Sequence, residues 1–119
     1  MNSNTVHLPI KRKWFDMILS GEKKEEYREV KPYWVRRLLC DMSAYGDPMP
    51  VVEGYYEKPE GKTTLTLTAG YGKDKPRIVI EWLNIDIGHP KPEWCEPGTS
   101  GLWFVLHLGK IIEVKNVKQ

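Results

Sequence analysis

The sequence predicts an α+β protein, mainly β, in which two short helices pack against a small, strongly bent sheet or closed barrel. Helical periodicity is confined to the first third of the 119 residues, and several strand-like runs separated by Gly- and Pro-rich turns occupy the rest. A chain of this length can bury a core without disulfides, so we expect residues 1–119 to form a single domain.

The first two elements are a strand and a helix. Residues 6–10 are a short apolar run in which Pro9 marks an edge or a bend, as is typical of a first strand. Residues 11–20 have helical periodicity instead, and Gly21 stands where a helix stop is expected. The apolar residues that predict the buried face of this helix are Trp14, Phe15, Ile18 and Leu19.

A second strand and a second helix follow. Residues 25–30 are predicted to form the strand. Pro32 then suits the first turn of a helix, because the missing N–H of proline is not needed there. The apolar positions Val35, Leu38 and Leu39 predict the buried face of this helix. Arg36 and Arg37 predict its outward face.

The central part of the chain predicts loops and a hairpin. Residues 44–50 are expected to form a loop. Residues 51–56 and 63–68 are then predicted to pair as a short hairpin across the turn at residues 58–62. Residues 69–76, AGYGKDKP, form a Gly-rich turn before the next strand.

Two further strands are predicted in the second half of the chain. Residues 77–87 are the clearest strand of the sequence, and residues 101–108 are another. Strict alternation along the first of them places Ile78 and Asn84 on one face and Ile85 on the other.

The composition limits the class of partner. The formal net charge is +2 and the pI about 8.5, which is compatible with a nucleic-acid partner. This pI lies below the value of roughly 9 that is typical of strongly basic nucleic-acid-binding domains. Five Trp and six Tyr are many for this length, and aromatic rings can serve as platforms for bases as well as fill a core.

The cysteines and the apolar runs bear on cofactors and on the compartment. Cys40 and Cys95 are far apart with no other Cys or His at zinc spacing, so we expect no metal site and no cofactor. No apolar run approaches the roughly 18 residues of a membrane span, and the first residues do not resemble a signal peptide. We therefore expect no membrane association and a cytoplasmic location with reduced thiols.

Residues 20–28, SGEKKEEYR, contain a spaced motif between the first helix and the second strand. Gly21, Lys23, Glu26 and Arg28 spell G-x-K-x-x-E-x-R. Gly21 allows a left-handed helix cap, and Lys23 on the turn is free to reach over the mouth of a cleft. Glu26 and Arg28 share one face of the strand, and the planar guanidinium of Arg28 suits a phosphate, a carboxylate or a base edge.

The residues alone leave two interpretations of this motif open. In the first, Glu26 and Arg28 form a cross-strand ion pair and Lys23 is solvated, as most charge runs are. In the second, the motif lines a ligand cleft, in which Glu26 accepts from an exocyclic amine or holds Arg28 and Lys23 in place.

The motif, with an amphipathic helix before it and a strand after it, resembles the ASCH domain family, a branch of the PUA-like β-barrel superfamily. The resemblance extends to residues 8–11 as the family's first strand, and to residues 70–73 and 77–87 as its later turn and central strand. The resemblance is to the small stand-alone members of the family, which include phage-borne proteins. It implies a PUA-like barrel with two short helices packed against it and a cleft lined by the motif.

The same resemblance implies RNA, a nucleotide or a modified nucleoside as the ligand, and no membrane partner. We therefore predict an RNA- or nucleotide-binding module. Beside the motif, Lys11 and Lys73 can approach a phosphate and Tyr71 can stack on a base. The predicted ligand-binding residues are Lys11, Gly21, Lys23, Glu26, Arg28, Tyr71 and Lys73.

Hydrolysis of RNA or of a modified nucleoside is the alternative function. A subgroup resembling this fold that deacetylates acetylated cytidine is associated with a Lys, Thr and Glu set. Lys23 matches its lysine, but Glu26 stands where its threonine is expected, which argues against that mechanism. Ribonuclease-like acid–base chemistry by Lys23 and a carboxylate is the other possibility, with Glu81 as a second carboxylate. No catalytic residue is assigned, and Lys23 and Glu26 are the candidates.

A third interpretation is a protein-interaction domain that uses the arginines of the second helix, Arg36 and Arg37, and leaves the motif purely architectural. The histidines show no triad or metal spacing. We expect His107 to be a satisfied core or edge residue, whereas His7 could face the cleft.

Overall fold

The computed structural model describes residues 4–39, 51–72 and 74–117, and it is a mixed α+β structure that consists mostly of strands. Both predicted helices are present, as α1 (Arg12–Leu19) and α2 (Pro32–Leu38). Neither is long and apolar enough to cross a membrane, and no other helix in the described ranges is. The strands are β1 (Thr5–Ile10), β2 (Glu25–Glu29), β3 (Gly54–Tyr56), β4 (Thr64–Ala69), β5 (Arg77–Gly88) and β6 (Trp103–Lys115).

The six strands belong to one sheet with the hydrogen-bonded order β1-β4-β5-β6-β2, and β3 pairs with β5 beside this path. β1 runs parallel to β4, with Thr5 opposite Thr64 and Ile10 opposite Ala69. The pairs β4–β5, β3–β5 and β2–β6 are antiparallel. In the part of the chain that the structure describes, the sheet has two end strands, β1 and β2, and is not closed. The closed barrel therefore remains a prediction.

The predicted hairpin of residues 51–56 and 63–68 is wrong. Its first half contains β3, which pairs with the end of β5, so that Gly54 lies opposite Ile87. Its second half is β4, which pairs with β1 on one side and β5 on the other. β4 takes these partners because its residues are almost all buried, and a buried strand needs a neighbour on both edges. The loop predicted at residues 44–50 lies outside the described residues.

The chain divides into two compact units, each assembled from separate segments. The first consists of Met1–Lys24, Lys62–Leu83 and Leu108–Gln119. α1 packs on β4 there and buries Trp14, Phe15 and Ile18 of the predicted face, whereas Leu19 is only half-buried. The fully buried side chains of this unit include Leu8, Phe15, Ile18, Leu65, Leu67 and Ile78.

The second unit consists of Glu25–Gly61 and Asn84–His107. Its helix, α2, starts with Pro32 at its first turn and exposes Arg36 and Arg37, as the sequence predicts. The buried side chains of this unit include Val35, Leu38, Leu39, Ile85, Ile87 and Phe104.

The burial pattern of β5 changes phase where the chain passes from one unit to the other. Ile78, Ile80 and Trp82 are buried at every second position, but Leu83 and Asn84 are then both exposed, and burial resumes at Ile85. The predicted strict alternation over residues 77–87 is therefore wrong beyond Trp82. Each half of β5 contributes buried side chains to the core of its own unit. A single alternation of buried and exposed residues therefore need not hold along the whole strand.

β6 is longer than predicted. It begins at Trp103 rather than at residue 101 and continues to Lys115, seven residues past the predicted end at residue 108. Of the added residues 109–115, all after Gly109 are exposed, so they lack the burial alternation that marks a strand in a sequence.

Candidate functional site

The motif begins where α1 ends, at a turn that only glycine adopts readily. Gly21 has a φ of 88°, as the left-handed cap predicts. The N–H of Gly21 donates to the carbonyl of Ile18 and the N–H of Lys23 to the carbonyl of Met17, both at 3.0 Å. These bonds satisfy carbonyls at the end of the helix and draw the backbone of Lys23 back against α1.

Lys23 does not reach into solvent, which corrects both its predicted position over a cleft mouth and the alternative that it is solvated. Its relative exposure is 1%. Its ammonium lies 5.6 Å from the centre of the Trp14 ring, which is also buried. Burying an ammonium is costly unless partners compensate for the lost hydration, and the face of the indole is one such partner.

Lys23 lines an open pocket of about 620 Å³ that lies within the first unit. Its apolar lining includes Ile18, Ile80 and Leu108, which are buried core residues. The rest of the lining includes polar residues and glycines from the start of the motif, from β5 and from β6. These residues are Gly21, Lys23, Lys24, Glu81, Gly109 and Lys110. Of the predicted ligand-binding residues, the pocket brings together Gly21 and Lys23.

The electrostatics of this pocket favour an anion. Three lysines and one glutamate line it, which leaves a formal charge of +2. The carboxylate is also engaged, because Glu81 Oε1 accepts a 2.8 Å hydrogen bond from the backbone N–H of Lys110. Lys24 and Lys110 are exposed, so their ammonium groups are accessible to a ligand in solution.

Gly109 makes room for Glu81 at the wall of the pocket. A Cβ at this position would lie 2.6 Å from Glu81 Oε1, which is closer than nonbonded atoms approach, and 3.0 Å from Leu83 Cδ2, which is tighter than most contacts. The backbone of Gly109 is not left-handed, so it is the space that requires glycine here. The position of the Glu81 carboxylate thus depends on the absence of a side chain on β6.

Glu26 and Arg28, the second half of the motif, form an ion pair in the second unit. Arg28 Nη1 donates to Glu26 Oε2 at 2.7 Å and to the carbonyl of Tyr27 at 2.7 Å. The guanidinium lies 5.2 Å from the centre of the Trp34 ring. The pair forms along one strand rather than across two strands. Both side chains are largely buried, at 15% and 6% exposure, and neither lines the pocket of Lys23.

A second polar cluster in this unit was not predicted as a group. Tyr27 donates from its hydroxyl to Glu25 at 2.7 Å, and that hydroxyl accepts from the N–H of Lys91 at 3.1 Å. His107 Nε2 bonds Asp86 at 2.8 Å, and its Nδ1 lies 3.7 Å from Glu25. His107 is therefore satisfied, as predicted. Burial raises the pKa of the Tyr27 phenol, and the bond to Glu25 raises it further against the opposing effect of the Lys91 N–H.

Two further predicted site residues, Lys11 and Tyr71, lie elsewhere in the first unit. Lys11 is exposed at the N-cap of α1. Tyr71 is exposed and lines a smaller pocket of about 170 Å³, together with His7 and Arg77. Lys73 lies outside the described residues. The sequence missed Lys110 and Arg77, because nothing local to either residue indicates which pocket the sheet brings it to.

The described residues contain no group of three or more His, Cys, Asp or Glu side chains that could hold a metal ion. Cys95 is a free, half-buried thiol, and Cys40 lies outside the described ranges. The site is therefore defined by lysines, one glutamate and apolar side chains.

The chain was compared with protein-family models, curated proteins and solved structures, and no match was found in any of the three.

Proposed function

We propose that this protein is an RNA- or nucleotide-binding module, and that its ligand occupies the pocket lined by Lys23, Lys24, Glu81 and Lys110. The observation that carries the proposal is the pocket itself. Its volume of about 620 Å³ falls within the range of roughly 300–1,000 Å³ typical of small-molecule sites. Lysines at its rim suit a phosphate, and the apolar lining suits the face of a base.

The family assignment is part of the same proposal. The G-x-K-x-x-E-x-R motif in its helix–turn–strand context supports membership of the ASCH family and a PUA-like barrel. Direct ligand contact by Glu26 and Arg28 remains a prediction, and their ion pair supports at least an architectural role. An RNA or nucleotide ligand and a free thiol at Cys95 suit the reducing cytoplasm, the compartment we propose.

The binding proposal is tested by titrating the protein with a panel of nucleosides, nucleotides and short single-stranded RNAs. Lys110→Gln removes an exposed charge from the pocket rim, and Lys115→Gln removes the same charge from the same strand outside the pocket. We expect Lys110→Gln to weaken binding about fivefold, as an exposed charge contact of about 1 kcal/mol requires, and Lys115→Gln to leave it unchanged. Equal affinity for wild type and Lys110→Gln would count against this pocket.

Lys23→Met provides a second test that does not depend on an exposed charge. Methionine retains much of the apolar bulk of lysine, but removing a buried charge leaves the groups around it uncompensated, which costs stability. We expect the variant to be less stable than the wild type but still folded, and to bind the ligand more weakly. Unchanged binding in a folded Lys23→Met protein would remove Lys23 from the site.

Hydrolysis of RNA is a second candidate, favoured by one observation: Lys23 and Glu81 line the same pocket. In such a reaction the Glu81 carboxylate would take the proton of a ribose 2′-hydroxyl, and the 2′-oxygen would attack the phosphorus. The Lys23 ammonium would protonate the departing 5′-oxygen, leaving a 2′,3′-cyclic phosphate and a free 5′-hydroxyl. Mass spectrometry of the binding mixtures tests this, since conversion by wild type and not by Glu81→Gln requires an enzyme.

A further inference from the structure

A second pocket lies at one edge of the three strands of the first unit. Pro9 on β1 is opposite Thr68 on β4, and Thr68 is opposite Arg77 on β5, so these residues form one row across the strands. With strands about 4.8 Å apart, the row spans roughly 10 Å. His7 stands two residues from Pro9 and therefore on the same face. All four residues line the pocket of about 170 Å³.

Arg77 lines this pocket and contains an unused hydrogen-bond donor. Its Nε is buried, and it makes no hydrogen bond to any of the described residues. Buried donors almost always have a partner, because leaving one unpaired costs free energy. The guanidinium fork matches the oxygens of a phosphate, so an anion in the pocket would supply acceptors to Arg77.

The turn between β4 and β5 adds an aromatic ring and open space. Tyr71 on this turn is 82% exposed, so its ring is accessible to a ligand. Gly70, with a φ of 90°, also lines the pocket, and a Cβ there would meet nothing within 4 Å. The space beside Gly70 is therefore open to a ligand.

The charge of the pocket is positive. Its described lining carries the guanidinium of Arg77 and the imidazole of His7, and it includes no acidic side chain. A volume of about 170 Å³ is below the range of roughly 300–1,000 Å³ of drug-sized sites, so the pocket holds a group the size of a phosphate rather than a whole nucleotide. The rest of the ligand then lies outside it, beside Tyr71.

We propose that this pocket is a second binding site that takes the phosphate of a nucleotide on Arg77 and His7, with the base stacked on Tyr71. The phosphate and base come from a free nucleotide or from one unit of an RNA strand. This site is separate from the pocket of Lys23 and Lys110, and the proposal for it does not depend on that pocket.

The test uses inorganic phosphate, uridine, uridine monophosphate and a hexauridine RNA as probes, with NMR shifts of ¹⁵N-labelled full-length protein as the readout. We expect phosphate and uridine monophosphate to shift the signals of His7, Gly70 and Arg77, and uridine to bind more weakly by at least tenfold. Tighter binding of hexauridine than of the monophosphate assigns the site to RNA, and equal binding assigns it to free nucleotides. No shift at these residues with any probe would overturn the proposal.

Arg77→Gln should weaken the binding of uridine monophosphate at least tenfold. Arg12→Gln removes an equal charge from an exposed position on α1 and should not weaken this binding. Equal losses in both would overturn the proposal, because they would indicate general charge attraction. If Arg77→Gln fails to fold, Tyr71→Ala and Tyr71→Phe replace it. Loss of at least fivefold in Tyr71→Ala with retention in Tyr71→Phe supports stacking, and no loss in either overturns it.

The same probes separate this proposal from the first. Lys110→Gln should leave the shifts at His7, Gly70 and Arg77 unchanged, because Lys110 lines the other pocket. If Lys110→Gln abolishes these shifts as well, the second site does not exist independently and the proposal fails. If only Arg77→Gln affects nucleotide binding, the second site stands and the function proposed for the larger pocket fails.

Discussion

Gly109→Ala is expected to destabilise the protein through a contact that no local rule of the sequence reveals. The new Cβ would lie 2.6 Å from Glu81 Oε1, 3.0 Å from Glu81 Cβ and 3.0 Å from Leu83 Cδ2. The carboxylate therefore has to move, which disturbs the 2.8 Å hydrogen bond from the Lys110 N–H. The change thus affects both the packing of β5 against β6 and the wall of the proposed binding pocket.

The magnitude follows from three contributions. Overpacking of this kind costs about 1–3 kcal/mol. Loss of a hydrogen bond to a charged group costs about 1.5–3 kcal/mol when nothing replaces it, and water replaces part of it here because Glu81 is half-exposed. Replacing glycine by alanine returns about 0.4–1 kcal/mol by restricting the unfolded chain. The expected net loss is about 2 kcal/mol, or a fall in Tm of roughly 8 °C.

Urea unfolding monitored by tryptophan fluorescence measures this loss, and Gly88→Ala is the matched control. Gly88 lies on β5 and, like Gly109, its backbone is not left-handed, but its nearest neighbour to a new Cβ is Asp86 Oδ1 at 3.6 Å, an ordinary contact. Gly88→Ala should therefore be neutral or slightly stabilising. Glu81→Ala should relieve part of the cost of Gly109→Ala in the double variant. Equal stability of Gly109→Ala and Gly88→Ala would refute the reasoning.

Two further predictions concern the second unit. Because burial raises the pKa of Tyr27 above the ordinary 10.0, the unfolded chain releases this proton first as pH rises, so stability should fall above about pH 10. Tyr27→Phe should reduce this fall in stability. In an alkaline absorbance titration of the variant, one phenol fewer should remain un-ionised than in the wild type. An unchanged slope of stability against pH in the variant would contradict the prediction. Arg28→Met should cost about 3 kcal/mol in urea unfolding because it leaves Glu26 largely buried without its ion-pair partner. The double variant Glu26→Leu/Arg28→Met should cost less than Arg28→Met alone, and a larger cost would show that the two residues act independently.

Local signals in the sequence were sufficient for the helices and for the turn after α1. The spacing of Trp14, Phe15 and Ile18 predicts a buried helical face, Pro32 marks the start of α2, and Gly21 has the left-handed backbone expected of a helix stop. Each of these features depends on residues within one or two turns of the chain, which is why a single sequence reveals them.

Strand pairing and burial could not be predicted in the same way, because they depend on distant segments. One partner of β4 is β1, about 60 positions earlier, and no turn residue indicates such a parallel pairing. Lys23 appears in a run of charges that is typical of an exposed surface, yet Trp14 and the neighbouring core bury it. Lys110 and Glu81 meet only because β5 and β6 are neighbours in the sheet.

The central claim is that a nucleotide or RNA strand binds in the pocket of Lys23 and Lys110. The most direct test is ¹⁵N NMR shift mapping of the full chain during titration with the tightest-binding member of the nucleotide and RNA panel. The account predicts that the largest shifts fall on the backbone amides of Gly21, Lys24, Gly109 and Lys110. Shifts confined to other residues, or no shifts at millimolar ligand, would contradict it.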